Sequence, residues 1–361
     1  MAVDCLVIGG GVIGLTTAWR LAQQGFSVRV CDQSTPGREA SWAGAGIMPP
    51  GYPGGLGDPL TQLTAQSCAL WPQLSAELLD ATGIENEFHP CGGLELSLGT
   101  REDLLEYRHC WTAIGARTQW LEPGEVQELE PAFSGSEAAF LLPDLSQVRN
   151  PRHLRALLRA CELAGVLITP DCPVTGWSSR NGRLDAAVTP TSEIAAGQFI
   201  VTAGAWSSQL LAQAGVTMEI VPVRGQIVLL EPSSVKLTRV IERDRRYIVP
   251  RRDGRILIGS TEERTGFEKG NTEAGIAGLL EFAATICPAL RSAPVEKCWS
   301  GLRPCAVRGR PFIGPVPGWE NLLVATGHFR SGLHLSPVTA EILVSRMQKK
   351  PLTPQWASFG I

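Results

Sequence analysis

Residues 5–14, CLVIGGGVIG, decide the fold. The apolar run CLVI is rich in β-branched residues and is cut off by glycine, the pattern of a buried strand. From Val12 the apolar residues recur at helical spacing through VIGLTTAWRLAQQG (12–25), and Gly25 is placed to end that helix. FSVRVCD (26–32) reads as a second strand ending at Asp32. Together these make a β-α-β unit of about 30 residues, whose crossover is right-handed.

The unit carries Gly9-x-Gly11-x-x-Gly14 at its strand-to-helix turn. Gly9 lets the chain turn tightly, Gly11 lets backbone approach a pyrophosphate, and Gly14 lets the helix pack close to the sheet. Phosphates then rest on the helix N-terminus, where free N–H groups and the helix dipole favour anions. Asp32, about 20 residues on, stands where a carboxylate accepts hydrogen bonds from a ribose. A bare glycine triplet is a weak signal; with strand, helix and acid in place it predicts a dinucleotide site.

The 361 residues exceed one ordinary core of roughly 100–200 residues, so two domains are expected. With 44% apolar residues, 19% charged residues and a net charge of -3, the composition points to a soluble globular protein. That charge points away from nucleic acid and anionic membrane surfaces. No apolar run approaches the roughly 20 residues of a membrane span. MAVDCLVIGGG lacks the basic leader of a signal peptide, and the expected location is the cytoplasm. Ten cysteines without a C-x-x-C pair fit a reducing compartment rather than a disulfide scaffold. Five histidines without H-x-x-x-H spacing predict no metal site.

GREASWAGAGIMPPGYPGG (37–55) is too rich in Gly, Ala, Ser and Pro to be helix or strand throughout. It reads either as a plain surface loop or as a backbone wall laid against a flat ligand. Residues 59–83 are helical, with Pro72 kinking or dividing the helix. NPRHLRALLRACELAG (150–165) is an amphipathic helix with Asn150 as N-cap and Pro151 first. VLITPDCPVTGW (166–177) and QFIVTAGAW (198–206) read as strands. From about residue 221 the chain turns strand-rich, with a turn at RDG (252–254), which predicts an antiparallel sheet packed on the nucleotide domain.

Near the other end, NLLVATG (321–327) is a strand and SPVTAEILVSRMQKK (336–350) a helix, with Ser336 as N-cap and Pro337 first. The loop between them is aimed at the positive end of a helix, which stabilises negative charge. If one cofactor spans both strand-to-helix turns, the first holds its pyrophosphate and the last its reactive ring.

Taken in order, the glycine motif, ASWAGAGIMPP (40–50), VTAGAWS (201–207), RYIVPRRDGRILIGSTEE (246–263), WSGLRP (299–304) and GHFRSGLHLSP (327–337) resemble the D-amino-acid-oxidase superfamily of FAD flavoproteins. The resemblance covers nearly the whole chain. GLRP followed by the GH-aromatic-R-x-G loop is its most specific part. DLSQVRNPRHL (144–154) also resembles the glycine oxidase branch, which supplies the imine for thiamine thiazole.

That resemblance implies an α/β chain. A Rossmann-type FAD-binding domain of the GR2 type would comprise residues 1–82, 143–220 and 298–361. A second, mainly antiparallel-sheet domain for the substrate would comprise 83–142 and 221–297. Non-covalent FAD would be held by Gly9, Gly11, Val12, Ile13, Gly14, Asp32, Gln33, Ser41, Trp42, Gly46, Ile47 and Met48, with Val174 beside the adenine. His328, Phe329, Arg330, Ser331, Gly332, Leu333 and His334 would lie along the isoalloxazine. Arg303 would clamp an amino acid carboxylate through two parallel hydrogen bonds, which guanidinium geometry suits. Tyr247 would donate its hydroxyl to the same carboxylate, and Arg330 would touch substrate or flavin. Each also has a plainer explanation: a surface ion pair for Arg303, core packing for Tyr247.

The implied reaction is oxidative deamination of a small amino acid, glycine first. Hydride passes from Cα to the flavin, the imine hydrolyses or is handed to a thiazole synthase partner, and O2 is reduced to hydrogen peroxide. Orientation is then the protein's main contribution, and no side chain need act as base at Cα. Relatives imply a homo-oligomer. Cys305 stands where a small residue is expected; related sarcosine oxidases attach FAD through a cysteine in this general region, at a spacing this chain lacks. STEERTGFEKG (260–270) does not distinguish glycine from sarcosine, proline or a small D-amino acid. Two rival readings are a same-fold dehydrogenase that passes electrons to a quinone or carrier, and a flavin- or NAD-binding protein without amine chemistry.

Overall fold

Two large sheets divide the chain, one mainly parallel and one mainly antiparallel. The structure is a computed structural model and describes residues 2–96, 99–135, 137–231, 235–351 and 353–361. In the first sheet Val3–Ile8 is central, flanked in parallel by Val28–Cys31 and Glu193–Val201. Leu167–Thr169 and Leu322–Thr326 extend the parallel set on either side. Phe312–Pro315 closes one edge antiparallel. Gly176–Arg180 and Arg183–Val188 form an antiparallel arm on the start of Glu193–Val201. The expected strand at 166–177 is therefore two, because Pro170, the left-handed Asp171 (φ 49°) and Pro173 break it.

Cys5, Leu6 and Val7 are fully buried, as a parallel strand covered on both faces requires. The helices Val12–Gln23, Pro59–Thr82, Asn150–Leu163 and Ser336–Met347 build a core on one face. Within it Leu15, Leu21, Leu63 and Leu74 are wholly buried, each contributing about 1.5–3 kcal/mol. The antiparallel arm and the short helix Ser207–Ala212 cover the other face.

The helix Pro59–Thr82 starts where Asp58 Oδ1 accepts the Leu60 N–H at 2.8 Å. It runs unbroken through Pro72, so the proline does not divide it. Two expected caps move by one residue. Asn150 and Ser336 are the first helical residues, not N-caps. The Asn150 amide instead donates to the Ser41 carbonyl at 2.8 Å. Ser336 is entered from a turn already closed by Leu335 N–H to Ser331 O at 2.8 Å, so no side-chain cap is needed.

The second sheet is led by the long antiparallel pair Ile220–Leu230 and Val295–Ala306. It continues through Ile256–Gly259, Arg246–Pro250, Val240–Arg243, Gly93–Leu96, Ala139–Leu142 and Gln119–Leu121. Among the described residues only the contact of Val240–Arg243 with Gly93–Leu96 is parallel in this sheet. The expected boundaries at 220/221 and 297/298 both fall inside the long strands of this sheet. The helix Glu273–Ile286 packs on one face. The other face joins Ala45 and Ile47 of the glycine-rich segment. No helix among the described residues is long and apolar enough to cross a membrane.

Candidate active site

A cleft of about 700 Å³ takes its lining from both sheets. One end is the glycine turn. Gly9 has φ 108°, and a Cβ there would lie 2.5 Å from the Thr202 carbonyl oxygen. A Cβ on Gly14 would lie 2.0 Å from Gly9 O and 2.6 Å from Thr202 Oγ1, so helix and strand close on each other only because it is glycine. Ser41 Oγ accepts the Val12 N–H at 3.0 Å. Asp32 accepts the Gly10 N–H on Oδ2 at 2.7 Å and the Ser34 N–H on Oδ1 at 2.9 Å. The turn thus fixes the acid that accompanies it. Gly9, Gly11, Val12, Ile13, Asp32, Gln33 and Val174 all line the cleft.

The glycine-rich segment is a wall rather than a loose loop. Gly46 has φ 73°, and a Cβ there would meet Val148 O at 1.9 Å. Buried Arg251 donates to Ala45 O at 2.6 Å and Val148 O at 3.2 Å. Trp299 Nε1 donates to Ala43 O at 3.1 Å. Ser41, Gly46 and Ile47 line the cleft. Trp42 and Met48 do not: Trp42 packs edge-on to Trp299 at 5.2 Å, and Met48 is in the helical core. Gly14 also stays off the lining and serves the packing behind it.

The opposite end belongs to the antiparallel sheet. Arg303, on the strand Val295–Ala306, lays its guanidinium over Gly225 and donates to Ser260 Oγ at 2.6 Å and Thr261 O at 3.2 Å. Burial holds this guanidinium below its ordinary pKa, while Tyr247 and Glu262 act the other way. The Tyr247 ring lies over Gly259, where a Cβ would fall 2.5 Å from the ring and 2.7 Å from Oη. Arg330 is ion-paired with Glu262, which also holds Arg245 at 2.8 Å. All three predicted residues, Arg303, Tyr247 and Arg330, line the cleft.

The loop of His328, Phe329, Arg330, Ser331, Gly332, Leu333 and His334 lines it as well. Phe329 has φ 51°, a left-handed turn that starts the short 3-10 helix Phe329–Ser331. The long helix Pro59–Thr82 fastens this loop: Ser67 Oγ and Trp71 Nε1 donate to His334 O at 2.6 and 2.8 Å. His328 Nε2 lies 3.1 Å from Thr339 Oγ1. Burial drives the His328 and His334 pKa values down to about 3 and about 4, so both rings are neutral. Cys305 is not on the lining.

Several lining residues carry no signal of function in the sequence. Asn150 reads there as a cap, yet its Oδ1 is buried beside the cleft without a partner among the described residues. Glu95, Tyr107, Trp111 and Glu242 line the Arg303 end and come from three separate stretches of chain. Strand register sets Glu95 beside Glu242, and the packing of the helix Arg101–Ala113 on that sheet brings Tyr107 and Trp111 to them.

A profile of FAD-dependent oxidoreductases, the DAO family, matches residues 4–346. The chain belongs to this family. FAD is therefore the cofactor of this DAO protein, and the cleft fits it. The glycine turn admits no Cβ, Asp32 stands fixed beside it, and Asn150 offers a buried acceptor without a partner among the described residues. A glycine oxidase of Pseudomonas putida is 36% identical over 95% of this chain and 93% of its own length. The bifunctional protein ThiO/ThiG of Trichormus variabilis is 31% identical over 99% of this chain, which covers 55% of that protein. The crystal structure of glycine oxidase from Geobacillus kaustophilus superposes with a TM-score of 0.94 at 32% identity, covering 99% of this chain and 98% of that one.

Proposed function

We propose that this DAO-family enzyme oxidatively deaminates a small amino acid, glycine first. Glycine, O2 and water would become glyoxylate, ammonia and hydrogen peroxide. The observation that carries the reading is Arg303 beside Tyr247 at the end of the flavin cleft, each laid over a glycine that leaves room for nothing else. The glycine oxidase relatives support the choice of substrate.

When bound, FAD would supply the two-electron acceptor for Cα, with O2 as the final oxidant. The protein's part is placement. The N-terminus of Val12–Gln23 and Ser41 hold the pyrophosphate, Asp32 the ribose, and residues 328–334 the ring. FAD is held without a covalent bond, a reading that the position of Cys305 off the lining supports. Arg303 binds the substrate carboxylate, and Tyr247 donates to the same group. With the carboxylate fixed at Arg303, the substrate would be held in one orientation in the cleft, and orientation would supply much of the rate. No titratable side chain is assigned to take a proton from Cα.

The imine is either hydrolysed or passed to a thiazole synthase, as the fused ThiO/ThiG relative supports. The protein acts in the cytoplasm. Adding glycine to the holoenzyme without oxygen should bleach the flavin bands, and admitting air should restore them with stoichiometric peroxide. Persistent bands with glycine would overturn the choice of substrate. Bleaching without peroxide in air would favour the dehydrogenase reading.

A further inference from the structure

The Arg303 end of the cleft holds more than a carboxylate clamp. Glu95 pairs with Glu242 across the parallel strand contact, and Glu242 pairs with Tyr247 on its other side. Tyr247 in turn pairs with Gly259. Residues in register across a sheet share a face. Glu95, Glu242 and Tyr247 therefore form one row, and all three line the cleft. Tyr107 and Trp111 bring two aromatic rings to the same wall, 6.2 Å apart and edge to face.

Glu95 is only 7% exposed. Among the described residues neither its carboxyl nor that of Glu242 has a hydrogen-bond or ion-pair partner. Two carboxyls side by side in a buried site oppose each other's ionisation. Burial, reinforced by Glu242, raises the Glu95 pKa well above the carboxyl range, and burial raises Glu242 to about 7. The cation felt by Glu242 is Arg330, which is already ion-paired with Glu262. A fold that sets a buried acid beside a half-buried one and leaves both unpaired has left a place for a positive charge from outside. Aromatic faces beside carboxylates suit an ammonium group in particular.

We propose that Glu95, Glu242, Tyr107 and Trp111 form a subsite for a second cationic group on the substrate, so that the enzyme prefers amino acids with a short ammonium-bearing side chain over neutral ones of equal length. This rests on the amino acid oxidation reading above. The subsite is distinct from the position of the substrate's own α-ammonium. That ammonium lies on the carbon next to the carboxylate held at Arg303, whereas Glu242 and Glu95 stand on the next two strands beyond Tyr247, each about 4.8 Å further along the row, so a side-chain ammonium extends further toward both acids. Glycine leaves the subsite empty and remains a substrate.

The test is kcat/KM of the holoenzyme for 2,4-diaminobutyrate against 2-aminobutyrate, and for ornithine against norvaline, with both enantiomers of each. The cationic member of at least one pair should lead by about tenfold or more, the size of one charge-assisted contact. The double variant E95Q/E242Q keeps the shape and removes the charge, and the lead should fall to near one. Its flavin absorbance reports that the cleft is intact, and the wild-type ratios stand without it. Equal or better rates for the neutral amino acids, with glycine still oxidised, would overturn the subsite alone. A lead that survives in E95Q/E242Q would do the same. Flavin left unbleached by every amino acid tested, glycine included, would remove the oxidation reading and the subsite with it.

Discussion

The guanidinium of Arg303 occupies the space that a side chain on Gly225 would need: a Cβ there would lie 2.2 Å from both terminal nitrogens. Two strands of the antiparallel sheet thus share one place. Gly225→Ala should push Arg303 off Ser260 and Thr261 and weaken substrate binding without touching the flavin. The loss of a charge-assisted contact corresponds to a rise in KM of about 10- to 100-fold. Steady-state kinetics with glycine checks this. In an Arg303→Ala background the same change should add little, since the two residues act as one unit.

Tyr247 and Gly259 repeat the arrangement. Tyr247→Phe removes one hydrogen bond, and KM should rise by roughly three- to tenfold with kcat less affected. Gly259→Ala drives a methyl group into the ring, which lies 2.5 Å from the Cβ position, and should do more harm than removing the hydroxyl. If Gly259→Ala behaves like wild type, the ring does not rest where the structure places it.

Gly14 governs the cofactor end. A side chain there would strike Gly9 O at 2.0 Å and Thr202 Oγ1 at 2.6 Å, forcing the first helix away from the sheet. Gly14→Val should yield protein with little bound flavin, read as the ratio of visible to ultraviolet absorbance. Full flavin content would show that the close approach is dispensable.

Three buried histidines make stability depend on acid. Burial depresses His153 and His328 to about 3 and His334 to about 4, against an ordinary 6.5. The unfolded chain therefore takes up these protons first. Stability is full above about pH 6.5 and falls as pH drops below it. At pH 5.5 each histidine costs on the order of 1 kcal/mol. Glu242 works in the opposite sense. Its raised pKa removes stability as pH climbs from 4.5 toward about 7. His153 isolates the first effect, because it lies off the cleft, with Asn86 at 3.2 Å and the Trp71 ring at 4.9 Å. Thermal melts of His153→Gln should show a shallower fall between pH 7 and 5.5 than wild type. An unchanged slope would mean that His153 does not bind its proton only on unfolding.

The sequence by itself determined the nucleotide-binding unit, because everything needed there is local. Strand, turn and helix follow one another within residues 3–31, and the glycine spacing states which backbone must come close. The loop at 327–337 was legible for the same reason: a strand runs directly into a helix. Arg303 and Tyr247 stood out through family resemblance, and the structure sets them side by side. Trp42 and Met48 lay within a readable segment, but alternation of a few residues cannot say which side faces a ligand, and both turn away. Asn150 looked like a cap because an Asn before a proline usually is one; a carbonyl 109 positions earlier in the chain, that of Ser41, claims its amide instead. Glycines 225 and 259, the acids at 95 and 242, and the rings at 107 and 111 were silent. Their meaning depends on the register of strands that meet only when the sheet closes, and, for the two rings, on how the helix Arg101–Ala113 packs on that sheet; neither leaves a mark in any local stretch of sequence.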